Sequence, residues 1–214
     1  MKHNLKRAVA LMLIICLCAV LCGCAGSFDA HTYVQGGLDV LYRGEVSEEY
    51  LKLVTDSEAD CLAAYVENVQ AEVKSFCERF YLDENNTADI EELYKDVFAA
   101  VKYETGEAEK TDTGYCVPVT VQPLSLFRDS YELLDKYDRE FTQRFADGEF
   151  AELEGSAIES EYVAGMIDVL SAELDDPQYL DAETVMLHLK SDGKGVYTLD
   201  PDDMAQLHET LIAY

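Results

Sequence analysis

Residues 57–82, SEADCLAAYVENVQAEVKSFCERFYL, predict the clearest helix of the chain. Ser57 and Asp60 fit a capping box, in which the two side chains satisfy backbone amides at the helix start. Apolar residues then recur at the i, i+3, i+4, i+7 spacing of one helix face, namely Leu62, Tyr65, Val66, Val69, Val73, Phe76, Cys77 and Phe80. We therefore expect an amphipathic helix that packs this face against the rest of a domain.

Two β-hairpins are expected further along the chain. Residues 101–105 alternate, and residues 115–121 follow with apolar residues at every second position, which is typical of paired strands. Pro118 lacks an amide donor and predicts an edge strand or a bulge there. The second hairpin joins residues 185–189 to 196–199 across Asp192-Gly193, a strong turn signal. The sequence thus predicts four strands, mostly antiparallel.

Helical patterns surround these strands. They cover residues 28–44, 87–98, 125–146, 156–174 and the segment that starts at Asp200-Pro201. Ser156 and Glu159 fit a second capping box. No Pro/Gly/Ser linker and no internal repeat divides the chain, so we expect one α+β domain over residues 28–214, with helices packed on a small four-stranded sheet.

The first 24 residues differ in kind from the rest. Lys2, Lys6 and Arg7 precede 14 uncharged apolar residues at 8–21, a helix of about 21 Å that is too short for a hydrocarbon core of about 30 Å. This pattern predicts a secretory signal over residues 1–23 rather than an uncleaved anchor or a buried cytosolic helix. Residues 21–24, Leu-Cys-Gly-Cys, resemble a bacterial lipobox.

The lipobox resemblance implies that Cys24 is lipidated and becomes the first residue of the mature protein, with residues 24–27 as a short tether. The protein would then sit on the outer, extracytoplasmic face of the cell membrane, held by its lipid. Buried acyl chains contribute about 0.8 kcal/mol per methylene, which is enough for several chains to retain a soluble domain.

The charge of the chain is strongly negative. The formal net charge is −27, and removal of residues 1–23 takes away three basic residues and no acidic one, which leaves −30. Such a polyanion does not bind a phosphate backbone through a basic face, so nucleic-acid binding is excluded as a default. Solubility is the simplest interpretation of this acidity.

The cysteines and histidines do not form a recognisable site. Cys61 and Cys77 lie about 24 Å apart along one predicted helix and cannot bridge to each other, whereas Cys116 could pair with either. Buried, unreactive thiols are the alternative, and no two of the cysteines from residue 24 onward have metal-ligand spacing. Three histidines follow residue 24: His31, His188 and His208. None has a histidine partner at i+3 or i+4, so solvent-facing or partly buried side chains are expected.

Sequence motifs of catalysis are also missing. No GxSxG, Walker-type, GxGxxG or HExxH pattern occurs. Residues 191–194 spell SxxK, but serine–lysine chemistry needs both residues on one helical turn, and here a hairpin turn is predicted. The many carboxylates cannot be sorted into an acid–base pair without a cleft. The sequence therefore predicts no catalytic, cofactor-binding or metal-binding residue.

Several short stretches resemble a family of small lipoproteins of clostridial Gram-positive bacteria, whose domain has no assigned function. These stretches are Phe28-Asp29-Ala30, Tyr33-Val34, Leu38-Asp39, Tyr42-Arg43-Gly44-Glu45, Tyr115–Leu124 and Leu211-Ile212-Ala213-Tyr214. The resemblance covers nearly all of the mature chain and implies a surface lipoprotein, with no reaction assigned. The order of helices and strands is also loosely similar to nuclear-transport-factor-like or cystatin-like folds, which host many functions.

Three functions remain open at this point. The first is a non-catalytic interaction module of the cell envelope that contacts a protein or a wall polymer, marked by an exposed apolar patch. The second is a lipoprotein that binds a small molecule in a pocket between helices and sheet. The third, an enzyme, would need a cleft with converging polar groups and a perturbed carboxylate.

Overall fold

The computed structural model describes residues 28–83 and 87–214, together with the backbone of residues 18–20. The predicted signal segment and Cys24 lie otherwise outside the described residues. The α+β fold class is confirmed, because helices pack on an antiparallel sheet. The helices are α1 (Ala30–Arg43), α2 (Glu48–Leu51), α3 (Glu58–Phe80), α4 (Thr87–Ala100), α5 (Leu126–Asp129), α6 (Tyr131–Ala146), α7 (Gly155–Leu174) and α8 (Pro201–Leu211).

All four predicted strands are present, with two short additions. The strands are β1 (Cys18–Val20), β2 (Lys102–Thr105), β3 (Glu109–Lys110), β4 (Gly114–Gln122), β5 (Glu183–Ser191) and β6 (Val196–Leu199). Their order is β1-β6-β5-β4-β2, with β3 also paired to β4, and every pairing is antiparallel. β1 falls within the residues that the sequence predicts to be removed on secretion.

The helices cover one face of the sheet. On β5, Val185, Leu187 and Leu189 are buried, whereas the alternate residues Met186 and His188 are exposed. β4 alternates in the same way. Because successive side chains of a strand point to opposite faces, the apolar set of each strand meets the helices and the polar set meets water.

Pro118 lies in an interior strand, which corrects the expectation of an edge strand. β4 pairs with β5 along Gly114–Val121, and Pro118 faces Met186 in that pairing. The carbonyl of Pro118 instead accepts a hydrogen bond from the amide of Gly106, at 2.8 Å, in the gap between β2 and β3. In a strand, the N–H and C=O of one residue point to the same side. The missing donor of the proline therefore faces an irregular part of the sheet, where no ladder bond is lost.

The buried face of α3 is rotated from the predicted one. Its capping box at Ser57 and Asp60 is confirmed. Leu62 and Val66, placed on the apolar face by the sequence pattern, are 40% and 44% exposed. The residues buried in their place are Cys61, Ala64, Asn68 and Glu72, besides the expected Val69, Val73, Phe76 and Cys77. The rotation brings two polar side chains, Asn68 and Glu72, into the interior.

The helix predicted over residues 125–146 is divided at Ser130 into α5 and α6. The backbone of Ser130 has φ −78° and ψ −4°, away from regular helical ψ. Phe127 is buried before the break, whereas Tyr131 directly after it is 71% exposed, although both were expected on one apolar face. Phe145, at the far end of that face, is also exposed, by 56%.

The capping box predicted at Ser156 and Glu159 is absent from α7. Helix α7 begins after Glu154, which caps it without a side-chain hydrogen bond. The carboxylate of Glu159 accepts a hydrogen bond from the amide of Asp83, at 2.8 Å, and so joins α7 to the segment after α3. The cap at Asp200 with Pro201 behind it is confirmed, since the Asp200 side chain accepts from the amide of Asp202.

Helix α1 continues through Gly36-Gly37, a pair that disfavours a helix on intrinsic propensity. A Cβ atom at Gly36 would lie 2.6 Å from the side chain of Tyr50 on α2. Tyr50 is 1% exposed. Close approach of α2 thus explains the glycine at this position.

Among the described residues, no helix combines the length and the apolar character needed to cross a bilayer.

Candidate functional site

The cysteines of the described chain are structural. Cys61, Cys77 and Cys116 are buried, and none of them forms a disulfide among the described residues. Burial, followed by the charges of Asp203 and Glu109, raises the pKa of the Cys116 thiol. A raised thiol pKa suppresses the nucleophilic thiolate, so Cys116 has the properties of a small apolar side chain.

Two of the three histidines occupy the positions expected of them. The Nε2 atom of His31 lies 3.3 Å from the backbone carbonyl of Thr105 and is partly buried. His188 lies on the exposed face of β5, where its Nδ1 atom is 2.8 Å from a carboxylate oxygen of Asp203. His31 lines the shallower of the two depressions described below, and His188 lines neither of them.

His208 is a buried member of an ion pair, which sequence reasoning missed. Its Nε2 atom lies 2.9 Å from Oε1 of Glu72, and the two side chains are only 9% and 4% exposed. The Nδ1 atom of His208 shares a hydrogen bond of 3.1 Å with the hydroxyl of Tyr42. The pair thus joins α8 to α3 and α1. One signal was available in the sequence. Glu72 lies four residues before Phe76, and residues four apart share one face of a helix, so Glu72 is on the same face of α3 as a predicted core residue.

Each partner of this pair stabilises the charge of the other. Burial by itself would lower the pKa of His208, but the charge and hydrogen bond of Glu72 outweigh it and raise the imidazole pKa above its ordinary value. Burial by itself would raise the pKa of Glu72, yet the charge and hydrogen bond of His208 hold it below its ordinary value. Desolvated charges of opposite sign in contact behave in this way.

The ion pair is connected to the surface through Tyr214. The Tyr214 hydroxyl donates to Oε2 of Glu72, at 3.2 Å, and is hydrogen-bonded to the hydroxyl of Tyr94. The Tyr214 ring stacks on Phe127, with centroids 4.7 Å apart. The guanidinium carbon of Arg79 lies 3.7 Å from the ring centroid, in cation–π geometry. One face of Tyr214 therefore belongs to the core, while 47% of the residue remains exposed.

Tyr214 forms one wall of a cleft. The cleft has a volume of about 450 Å³ and lies between the carboxyl end of α3 and the helices α5, α6 and α7. This volume falls within the range of small-molecule sites. Its lining is mainly aromatic and apolar, with one base and two acids: Arg79, Phe80, Phe127, Tyr131, Leu134, Asp135, Asp138, Tyr162, Met166 and Tyr214.

The acids of the cleft differ in their partners. Asp135 forms an ion pair with Arg139 on the next turn of α6. Asp138 accepts a hydrogen bond of 3.1 Å from the hydroxyl of Tyr162 on α7. Burial, with the hydrogen bond and charge of Asp138, raises the pKa of Tyr162 to about 12, so the phenol remains a donor at neutral pH.

The two helices that form the outer wall are fixed by Tyr137. Its hydroxyl donates to the backbone carbonyls of Glu161 and Tyr162, at 3.1 and 3.0 Å. A Cβ atom at Gly165 would lie 2.2 Å from that hydroxyl oxygen. The glycine thus lets α6 approach α7, which sets the position of Tyr162 in the cleft.

The buried and the accessible polar groups of this region are separate sets. Tyr42, Glu72 and His208 are too deeply buried to reach a substrate, because Tyr42 is 0% and Glu72 3% exposed. Across residues 28–83 and 87–214, no three His, Cys, Asp or Glu side chains converge as metal ligands. The accessible groups of the cleft are aromatic faces, one guanidinium and two carboxylates.

A second, shallower depression of about 600 Å³ lies where α1 begins, lined by residues 28–31, Glu107, Ala108, Lys110 and Tyr115.

Comparison with known proteins yields one structural relationship. No family model and no curated protein matches the chain. A crystal structure from Bacillus subtilis, described as a "putative lipoprotein (ycdA)", superposes with a TM-score of 0.60 at 13% sequence identity. The match covers 87% of this chain and 56% of that protein, so the present chain corresponds to little more than half of its length. At this identity the relationship establishes a shared fold.

Proposed function

We propose that the protein is a lipid-anchored, extracytoplasmic binding lipoprotein, and that it holds a small ligand in the cleft between α3, α5, α6 and α7. The observation that carries the proposal is the cleft itself: about 450 Å³, walled by aromatic side chains and crossed by a few polar groups. Sites for small molecules have this composition. From the sequence, a pocket was expected between the helices and the sheet. The cleft lies between helices instead.

The anchoring half of the proposal rests on the leader and on Cys24 at the end of the lipobox-like residues 21–24. The shared fold with a Bacillus protein described as a "putative lipoprotein" supports it. Membership of a clostridial family rests on the resemblance alone. We expect Cys24→Ala to leave the lipid-modified membrane fraction and to incorporate no radiolabelled palmitate in a Gram-positive host. Unchanged palmitate labelling would refute lipidation at Cys24.

The binding half is testable by thermal unfolding against a panel of small molecules. A ligand at 100 times its Kd stabilises the folded state by about 2.7 kcal/mol. For a chain of this size, that corresponds to a rise in Tm of roughly 5–10 °C. We expect hits with the wild type, and we expect them to be lost in Tyr131→Ala, since Tyr131 lines the cleft.

Phe145→Ala is the matched control for this experiment. Phe145 is another exposed aromatic residue of α6, at 56%, but it lies outside the cleft lining. Hits should therefore persist in Phe145→Ala. Hits that persist in Tyr131→Ala, or a panel without any hit, would contradict the cleft as the ligand site.

One observation favours the second candidate, a non-catalytic interaction module for an envelope protein or wall polymer. Tyr81 follows Phe80 of the cleft and is 95% exposed. Its φ of +56° is a left-handed conformation that costs free energy for a non-glycine residue. A macromolecular partner that covers the cleft would bury this ring. Tyr81→Gly removes the ring and relieves the backbone cost. It should therefore raise the free energy of unfolding and lower the affinity for that partner.

A further inference from the structure

The charged groups around the cleft are not equally neutralised, and this difference indicates the ligand. Asp135 is paired with Arg139 on α6. Arg79 lies over the Tyr214 ring, and its charge acts on the buried carboxylate of Glu72. Asp138, in contrast, has a tyrosine hydroxyl as its partner, and among the described residues no base lies within ion-pair distance of it. Asp138 is therefore a carboxylate with an unneutralised charge in the cleft wall.

Aromatic and apolar side chains surround this carboxylate. Tyr131, Leu134 and Asp138 follow one another at i, i+3 and i+7 and share one face of α6. Tyr162 faces them from α7 and donates to Asp138. Tyrosine rings next to a carboxylate form a favourable environment for an ammonium group, because the negative face of the ring and the carboxylate attract the same charge.

The field of the whole domain has the same sign. The mature chain carries a net charge of −30, which raises the local concentration of cations near its surface and repels anions. Among the described residues, Arg79 is the only base in the cleft lining, and the Tyr214 ring covers one face of its guanidinium. A cation is therefore favoured over an anion as the ligand.

We infer that the cleft binds a small organic cation, with its ammonium group at Asp138 beside Tyr131 and Tyr162 and its apolar body against Phe80, Leu134 and Met166. This inference rests on the proposed function, and it names the class of ligand for the same site. A free amine and a basic side chain of a peptide share this chemistry; the volume of the cleft favours a free small molecule.

Calorimetric titration with three probes of one shape tests the inference: 2-phenylethylamine as the cation, 2-phenylethanol as the neutral form and 3-phenylpropionate as the anion. We expect the amine to bind at least about tenfold more tightly than the alcohol, and the anion to bind most weakly. Affinity for the amine should fall as ionic strength rises, whereas affinity for the alcohol should not.

Asp138→Asn is the decisive variant, and Glu132→Gln is its control. Both remove one negative charge from α6, but Glu132 lies outside the cleft lining. We expect Asp138→Asn to reduce the affinity for the amine to that for the alcohol, and Glu132→Gln to change it by less than about twofold. A lysine-containing tripeptide that binds more tightly than the free amine would overturn the small-molecule assignment.

The failure of this inference is distinguishable from that of the proposed function. Equal affinities for amine and alcohol, both lost in Tyr131→Ala, would leave the cleft as a ligand site and overturn the cation preference. An unchanged amine affinity in Asp138→Asn would overturn it as well. If no probe binds, the cation inference fails. The thermal-unfolding experiment with the wild type and Tyr131→Ala then decides by itself whether the cleft is a ligand site.

Discussion

The described part of the protein contains two histidine–carboxylate pairs of nearly equal length in opposite surroundings. His208 and Glu72 are 2.9 Å apart with exposed side-chain fractions of 9% and 4%. His188 and Asp203 are 2.8 Å apart with fractions of 51% and 20%. The two pairs therefore have nearly the same N–O distance but differ in their exposure to water. The comparison separates what a histidine–carboxylate pair does inside a protein from what it does at the surface.

Desolvation decides the difference. Water screens the exposed pair, and its partners lose little if they separate, so surface pairs contribute about 0–1 kcal/mol. The buried partners have no water to return to, so loss of one leaves the other as an unpaired charge in the interior. The pair also holds Tyr214 through Glu72, and Tyr214 is a wall of the cleft. The buried pair is thus the one that affects the proposed binding site.

Loss of the Glu72 carboxylate has the largest expected effect. Glu72→Ala leaves His208 buried without its partner and removes the acceptor of the Tyr214 hydroxyl. We expect the free energy of unfolding to fall by about 3–5 kcal/mol, as for other broken buried pairs. Equilibrium denaturation in urea measures this loss. A loss under about 1 kcal/mol would show that water enters the pair and that it resembles a surface pair.

The pH dependence of stability should reveal the buried pair in the wild type. The pKa of His208 is raised, so its contribution is fully present below its ordinary pKa of 6.5 and is lost as the pH rises through the folded-state value. The pKa of Glu72 is lowered, so its contribution is present above the ordinary value of 4.5 and is lost as the pH falls through the lower folded-state value. The pair therefore contributes most to the stability of the fold between about pH 4.5 and pH 6.5, where both groups are charged in the folded state.

Glu72→Ala should reverse the sign of the histidine effect. Without the carboxylate, burial lowers the pKa of His208, and stability then falls as the pH drops below about 6.5. Urea denaturation of the wild type and the variant at several pH values measures the difference between them. Parallel curves would mean that His208 does not titrate differently in the two proteins, contrary to the electrostatic account of the pair.

His188→Ala has the smallest expected effect. The carboxylate of Asp203 also accepts a hydrogen bond of 2.8 Å from the backbone amide of residue 188, which the substitution preserves. We expect a change in the free energy of unfolding below about 1 kcal/mol, and one that shrinks as salt is added. A larger loss of unfolding free energy that does not depend on salt would show that this pair behaves like the buried pair, contrary to the proposed difference between them.

The sequence predicted local structure well where local interactions decide it. The capping box of Ser57 and Asp60, the Asp200-Pro201 helix start and the hairpin turn at Asp192-Gly193 are all confirmed. Each depends on residues within a few positions of one another. Two local predictions were wrong: the continuous helix over residues 125–146 and the capping box of Ser156 and Glu159. The capping box does not form because the carboxylate of Glu159 accepts instead from the amide of Asp83, 76 residues away.

The candidate site could not be predicted in the same way. His188 and His208 both lack a nearby histidine, and the composition around them does not separate an exposed side chain from a buried one. Glu72 was hidden because the apolar residues of α3 fit two overlapping faces, and Leu62 and Val66 favoured the wrong one. Tyr131 and Tyr162 belong to helical patterns whose mutual position depends on the close packing of Gly165 on Tyr137.

By itself, the sequence determined the acidic charge, the leader with its candidate lipid site at Cys24, and the order of helices and strands, because these follow from composition and from contacts between near neighbours. Only the tertiary structure decided which face of α3 is buried, which histidine is charged in the interior and which tyrosines meet in a cleft. Those properties depend on the solvation of each group by distant segments, and solvation is a property of the packed chain rather than of any stretch of it.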